Sequence, residues 1–305
     1  MRARHLGAWL PADVITRFTL AAGVVRGEFI DLDGARLYYY AAGTRGAGEP
    51  VVFLHGFPTS GHLWTDVIPL MPPGHRLVVL DLLGFGRSDP PHERSLTLSS
   101  HAERVVALLD ALGIEAACIV GHDLGGGVAQ AMAIQSPSRV TRLALIDSVA
   151  FTGWPRRDVR LARALLRLTG RVAPNWLIAV LRADLERGYA DPARAVHSLD
   201  RFTRPFTTPD GRTAFMQHLR ALDARETRAL APRLAEITAP TAVVWGAHDP
   251  ILPPKLGKRL AAAIPGATLE VVPGARHFTP EDAPRPVADA IAALLRREAR
   301  LPSAT

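Results

Sequence analysis

Short apolar runs and segments of helical periodicity alternate along this chain from residue 51 onward. Val51–Leu54, Leu77–Leu80, Ala117–Val120 and Leu143–Ile146 each predict a strand buried on both faces, because an unbroken apolar run leaves no side for water. Thr241–Trp245 and Thr268–Val272 continue the series. Between them, Gly61–Leu70, Ser99–Leu112, Val128–Gln135, residues 254–263 and Pro284–Ala299 predict helices. Ser99 or Ser100 caps the second of these and Gly113 stops it. Upstream, Glu28–Leu32 and Leu37–Ala41 predict two strands joined by Asp33-Gly34, a hairpin turn signal, with Tyr38, Tyr39 and Tyr40 packing in the second. Strands alternating with helices argue for an α/β fold with a mostly parallel sheet flanked by helices, which places reactive groups at the strands' carboxyl ends.

From Phe151 to Ala231 the rhythm changes. Strand signals vanish, and the segment is helical, rich in arginine and broken by Pro155, Pro174, Pro192, Pro205 and Pro209. It predicts an inserted α-helical cap over residues 151–231, in which Leu161, Leu165 and Leu168 line one face and Arg160, Arg163, Arg167 and Arg171 a solvated one. The core then comprises residues 26–150 and 232–305. Residues 1–25, with apolar Leu6, Trp9, Leu10 and Ile15, predict an N-terminal extension with a short helix lying on the body.

Gly121-His122-Asp123-Leu124-Gly125 joins the strand ending at Val120 to a helix, the layout of a nucleophile elbow. Glycines two before and two after Asp123 suit that turn, because a Cβ at either place would strike the adjoining strand or helix. Asp123 is ionised near neutral pH and attacks without a base. Its attack on an acyl carbon would give an anhydride, whereas attack on a saturated carbon with a strained or good leaving group gives an ester that water can cleave. The expected substrates are therefore epoxides or alkyl halides.

His55-Gly56-Phe57-Pro58 follows the strand ending at Leu54, so the backbone N–H groups of Phe57 and Leu124 are expected to form an oxyanion hole. A cis Pro58 would set the loop's direction. His55 and His122 are expected to hold loops by hydrogen bonds. The loop Asp81 to Asp89 contains a Gly-x-Gly, but no helix follows it directly, which argues against a dinucleotide site. Asp249 and His277 each follow a later strand. In the order Asp123, Asp249, His277 the chain carries a nucleophile, an acid and a base, with Asp147 as a rival acid. This chemistry needs no metal or cofactor.

Composition narrows the setting. Two lysines, Lys255 and Lys258, stand among 36 basic residues, so the net charge of +7 rests on scattered arginines. With no aromatic interleaving, zinc spacing or helix-turn-helix signal, nucleic acid is not an expected partner. Cys118 is the sole cysteine and reads as a small buried residue. No apolar run reaches signal-peptide or membrane-spanning length, so a cytoplasmic protein, monomeric or homodimeric, with a small hydrophobic substrate and no membrane partner is expected.

With His55-Gly56-Phe57-Pro58 and Gly121-His122-Asp123-Leu124-Gly125-Gly126 in view, the chain from about residue 26 to its end resembles the α/β-hydrolase superfamily, in its epoxide hydrolase and haloalkane dehalogenase branch. The resemblance implies that fold and an aspartate nucleophile. Haloalkane dehalogenases typically hold halide with a Trp after the nucleophile and an Asn in the His-Gly-x-Pro loop, or with a second Trp from the cap. Leu124 and Phe57 stand in the first two places. Fluoroacetate dehalogenases place arginines just after the nucleophile, where this chain has Leu124, Gly126 and Gly127. Epoxide hydrolases polarise the ring oxygen with two cap tyrosines. Tyr189 is the cap's only one, which leaves Trp154, Trp176 or His197 as further substrate-binding donors. An epoxide hydrolase is the leading expectation, followed by a dehalogenase with an altered halide site. A ligand-binding protein without turnover comes third, disfavoured because a binder has no need of Asp123, Asp249 and His277 together.

Overall fold

A computed structural model describes residues 17–20, 23–32, 34–43, 48–156, 159–161, 164, 173 and 175–299. Its centre is a sheet of nine strands: β1 (Arg17–Leu20), β2 (Gly23–Leu32), β3 (Ala35–Gly43), β4 (Val51–Leu54), β5 (Arg76–Leu80), β6 (Ala117–His122), β7 (Val140–Ile146), β8 (Thr241–Gly246) and β9 (Thr268–Val272). Their spatial order is β1-β2-β3-β5-β4-β6-β7-β8-β9. The pairs from β1 to β5 are antiparallel. Every pair from β5 through β4 to β9 is parallel.

Successive residues of the central strands supply opposite faces of this sheet. Val52, Leu54, Leu143 and Leu145 join one core, while Val51, Phe53, Ala144 and Ile146 join the other. Both cores are dry, which is why these strands read as continuous apolar runs and not as alternating ones. β9, at the sheet's edge, exposes most of its residues.

The helices include α1 (Leu98–Ala111), α2 (Leu124–Gln135), α3 (Asn175–Glu186), α4 (Pro192–Thr203), α5 (Pro209–Ala221), α6 (Arg225–Leu230), α7 (Pro254–Ala263), α8 (Thr279–Asp282) and α9 (Pro284–Leu295). Among the described residues no strand lies between β7 and β8, and no helix is long and apolar enough to cross a membrane.

Several expectations need correction. Gly61–Leu70 forms two 3₁₀ turns, Gly61–Trp64 and Ile68–Leu70, because Pro69 brings no N–H to a continuous helix. The cap of α1 is Thr97, whose hydroxyl accepts from the N–H of Ser100 at 3.1 Å, and the Glu226 carboxylate takes the N–H groups of Leu98 and Ser99. The last helix stops at Leu295. Residues 17–20 and those from Gly23 onward are strands where a helix was expected, because their backbone pairs along the sheet edge from Arg17↔Arg26 to Leu20↔Gly23. Residues 1–16, the turn residue Asp33, and most of the leucine and arginine faces predicted between 160 and 171 lie outside the described residues.

His101 on α1 is fully buried, and neither ring nitrogen has a hydrogen-bond partner. Burial, reinforced by Arg104 and His55, lowers its pKa from 6.5 to about 3. A depressed folded pKa means that the stability linked to the neutral ring is complete above pH 6.5 and is lost as pH falls toward 3. Replacing His101 by Leu removes both the unpaired nitrogens and this proton linkage, and should stabilise the fold by about 1 kcal/mol. Thermal unfolding at pH 8 and pH 5 checks this: the gain should be larger at pH 5, and equal gains would show that the pKa of His101 is not depressed in the folded chain.

Candidate active site

Asp123 sits between β6 and α2 with φ 50° and ψ −116°, a conformation that a residue with a Cβ holds only under constraint. The constraint is a set of backbone bonds: its N–H donates to Ile146, and its carbonyl accepts from Gly126, Gly127 and Val149. The flanking glycines follow from the same crowding. A Cβ on Gly121 would strike the backbone of Gly125 and Gly126, and one on Gly125 would strike the carbonyls of Leu54 and His55. The elbow and the loop after β4 are therefore in contact.

That contact brings the backbone N–H of Phe57 to 2.9 Å from Oδ1 of Asp123. The backbone N–H of Leu124 also bonds this carboxylate. Oδ2 lies 3.9 Å from Nε2 of His277. On its other side, His277 places Nδ1 2.9 Å from Oδ2 of Asp249, whose Oδ1 accepts from the N–H groups of Ile251 at 2.7 Å and Leu252 at 2.9 Å. Burial pushes Asp123 toward its protonated form, opposed by His277 and the two backbone donors. Burial likewise works against charge on His277, but the carboxylates of Asp249, Asp123 and Asp147 outweigh it and raise the imidazole to about 9.

Asp147, the rival acid, is fully buried with φ 41°. Its Oδ1 accepts from the N–H of Gly246 at 2.7 Å, and Oδ2 has no well-formed hydrogen bond. Burial and the nearby Asp249 push it well above the ordinary carboxylate range. Asp249 and not Asp147 holds the imidazole.

His55 and His122 join loops. Nε2 of His55 accepts from the N–H of Leu82 at 3.0 Å, and Nε2 of His122 bonds the His277 carbonyl at 2.9 Å. The Phe57–Pro58 peptide is cis.

A cavity of about 300 Å³ opens above Asp123 and His277. Its wall is mostly apolar, formed by Phe57, Leu124 and Val149 from the core and by Leu177, Leu181 and Phe215 from the helical segment. The predicted cap donors fare differently. Trp154 reaches the cavity wall, but its indole N–H donates to the hydroxyl of Thr227 at 2.9 Å. Trp176 is 60% exposed and outside the wall, on the solvent side of α3. Tyr189 is buried against Phe278, ring centroids 4.3 Å apart, and its hydroxyl shares a pocket with Glu281 instead of lining the cavity. His197 is exposed.

The sequence reading missed Arg156 and Asp184, which also line the cavity and pair at 2.8 Å. No motif marks them. The spacing of Leu177, Leu181 and Leu185 by four, all in the wall, was the available signal for the cavity side of α3. Among the described residues no cluster of His, Cys, Asp and Glu side chains could hold a metal ion.

A profile of the alpha/beta hydrolase fold family matches residues 49–284. The chain is 30% identical over 286 residues to a protein of Mycobacterium bovis named haloalkane dehalogenase 2, covering 87% of this chain and 93% of that one. It is 32% identical to the dihydrolipoyllysine-residue acetyltransferase component of an acetoin cleaving system from Cupriavidus necator, covering 83% of this chain but only 64% of that longer relative. An alpha/beta hydrolase fold protein from Burkholderia ambifaria superposes with a TM-score of 0.79 at 26% identity, covering 92% of this chain and 99% of that one.

The charge arrangement can be tested directly. Asp123 helps to raise His277, so Asp123→Asn should lower the imidazole's titration midpoint from its value near 9. Nitrogen-15 NMR of the ring would follow it; an unchanged midpoint would show that the two groups do not interact. Because the folded pKa lies above 6.5, the stability linked to His277 is complete below that pH and declines as pH rises through 9. The variant should show less of this alkaline decline.

Proposed function

The chain belongs to the α/β-hydrolase fold family, and on that premise we propose that it hydrolyses an electrophilic saturated carbon, an epoxide first, through a covalent ester on Asp123. One observation carries the reading: Oδ1 of Asp123 already occupies the oxyanion donor at Phe57, while Oδ2 stands on the side of His277. A serine-type acyl transfer needs that donor for the substrate's own carbonyl oxygen. With an aspartate at the elbow the site is filled by the enzyme's oxygen.

In the first half-reaction Oδ2 attacks the substrate carbon, and the bond to the departing oxygen breaks. Oδ1 becomes the carbonyl oxygen of the new ester without leaving the N–H of Phe57. Esterification removes the charge of Asp123, one of the influences that keep His277 protonated. The imidazolium then gives up its proton, through water to the alkoxide of an opened ring or to solvent where a halide departs, and can act as a base. In the second half-reaction Nε2 of His277 takes a proton from water, and the hydroxide attacks the ester carbon. The developing oxyanion on Oδ1 is stabilised where it already lies; its collapse breaks the Cγ–Oδ2 bond, and the product leaves as an alcohol carrying Oδ2 and the intermediate's hydroxyl proton, so that Asp123 returns as a carboxylate. Asp249 fixes the ring through Nδ1 and balances its charge. Asp147 supports the end of β8 through Gly246.

Residues 151–231 act in this reading as a cap over residues 26–150 and 232–305, supplying most of the apolar wall and excluding water from the first step. The apolar lining favours a small hydrophobic substrate.

A dehalogenase is the second reading, and the mycobacterial relative's name favours it. It shares the ester on Asp123 and differs in the departing atom. Against it stand Leu124 and Phe57, which offer no side-chain donor to halide.

His277→Gln should still form the ester but fail to hydrolyse it. Incubation with a substrate turned over by the wild type should add the substrate's mass to the intact protein, located at Asp123 by peptide mapping, with steady-state turnover reduced by about a thousandfold or more. An unmodified variant protein would overturn the assigned roles.

A further inference from the structure

In-line displacement puts the departing atom opposite the attacking one. With Oδ2 of Asp123 attacking from the sheet side, the departing oxygen or halide of a bound substrate lies toward the helical segment. That side of the cavity is built from Leu177, Val180, Leu181, Phe215 and Leu219, none of which stabilises developing negative charge. The two donors expected there are engaged elsewhere: the Trp154 indole bonds Thr227, and the Tyr189 hydroxyl lies with Glu281 outside the wall. Among the described residues lining the cavity, the polar side chains other than Asp123 and His277 are Arg156 and Asp184.

These two form a partly buried pair. Nη2 of Arg156 donates to Oδ1 of Asp184 at 2.8 Å, with side-chain exposures of 20% and 29%. The same Oδ1 lies 3.5 Å from Nη1 of Arg187. The guanidinium of Arg156 thus stands at the wall of a mostly apolar chamber, where its charge is screened less than it would be in water. A guanidinium also carries five N–H donors in a fixed plane, so the bond to Asp184 orients the group while sharing it.

We infer that Arg156, oriented by Asp184 at the cavity wall, is a further catalytic residue that binds the departing oxygen or halide of the substrate. The inference rests on Asp123 as the nucleophile. As Oδ2 forms its bond to carbon, the electron pair of the breaking bond passes to the departing atom, and the guanidinium stabilises that charge. Arg156 remains protonated throughout, because its affinity for the proton is too high to give one up. A halide leaves as the anion. An alkoxide from a ring takes its proton from water, and the hydroxide so formed takes the proton that the His277 imidazolium gives up; the hydrolytic water later restores that proton, so one water is added per ring opened.

The test uses the full chain in the His277→Gln background, where the ester accumulates, with 1,2-epoxyhexane, 1-chlorohexane, 1-bromohexane and 1-iodohexane as probes. Adding Arg156→Met should slow the maximal rate of adduct formation by at least about tenfold for the epoxide and the chloride. The loss should shrink toward the iodide, which needs less stabilisation. Arg156→Lys should recover part of the rate, which a merely structural role would not predict in step with the leaving group. An unchanged rate, an equal loss across the series, or a rise in half-saturating concentration with the maximal rate preserved would overturn the role of Arg156; the last would show a group that grips the substrate's tail. Absence of an adduct with every probe before Arg156 is changed would instead overturn the Asp123 reading.

Discussion

The backbone of Asp123 is held at positive φ by four hydrogen bonds, and that turn sets where its carboxylate stands in the site. The strain costs of order 1–3 kcal/mol and persists because β6, β7 and α2 all converge on the same residue. Gly121 and Gly125 let the backbones approach closely enough for those bonds to form. The same approach brings the loop after β4 against the elbow, so the N–H of Phe57 meets Oδ1 of Asp123.

The consequences are electrostatic. Three carboxyl groups, those of Asp123, Asp147 and Asp249, surround one imidazole in a region closed to water. They cannot all carry full charge cheaply: burial and the nearby Asp249 drive Asp147, whose Oδ2 has no well-formed hydrogen bond, well above the ordinary carboxylate range. The protonation of His277 thereby depends on the charge of Asp123. A reaction that neutralises Asp123 also prepares the base that the next step requires.

Above this polar floor the cavity is almost wholly apolar, and its roof comes from helices that follow β7. The contrast sorts the substrate by chemistry: an apolar body is accommodated by leucines and Phe215, and charge is tolerated at the floor and at the Arg156–Asp184 pair. Trp154 and Tyr189, although chemically able to donate a hydrogen bond, are engaged in packing: Trp154 ties the helical segment to itself through Thr227, and Tyr189 stacks on Phe278 of the core.

Residue order alone specified the parallel sheet, because strands dry on both faces leave runs such as Val51–Leu54 and Leu143–Ile146 with no polar position. It also specified the elbow, since glycines around Asp123 answer a steric demand local to a few residues. The outer hairpin was legible for the same local reason, whereas the strand at Arg17–Leu20 was not, because its pairing depends on an edge that exists only after the sheet forms. The choice of Asp249 over Asp147 beside His277 depended on which carboxylate comes within hydrogen-bond reach of Nδ1, a distance that no spacing in the chain encodes. The cavity wall was decided in the same way. Whether Trp154, Trp176, Tyr189 or Arg156 faces the chamber depends on how separate helices pack across it, and packing between distant segments is a property of the folded chain alone.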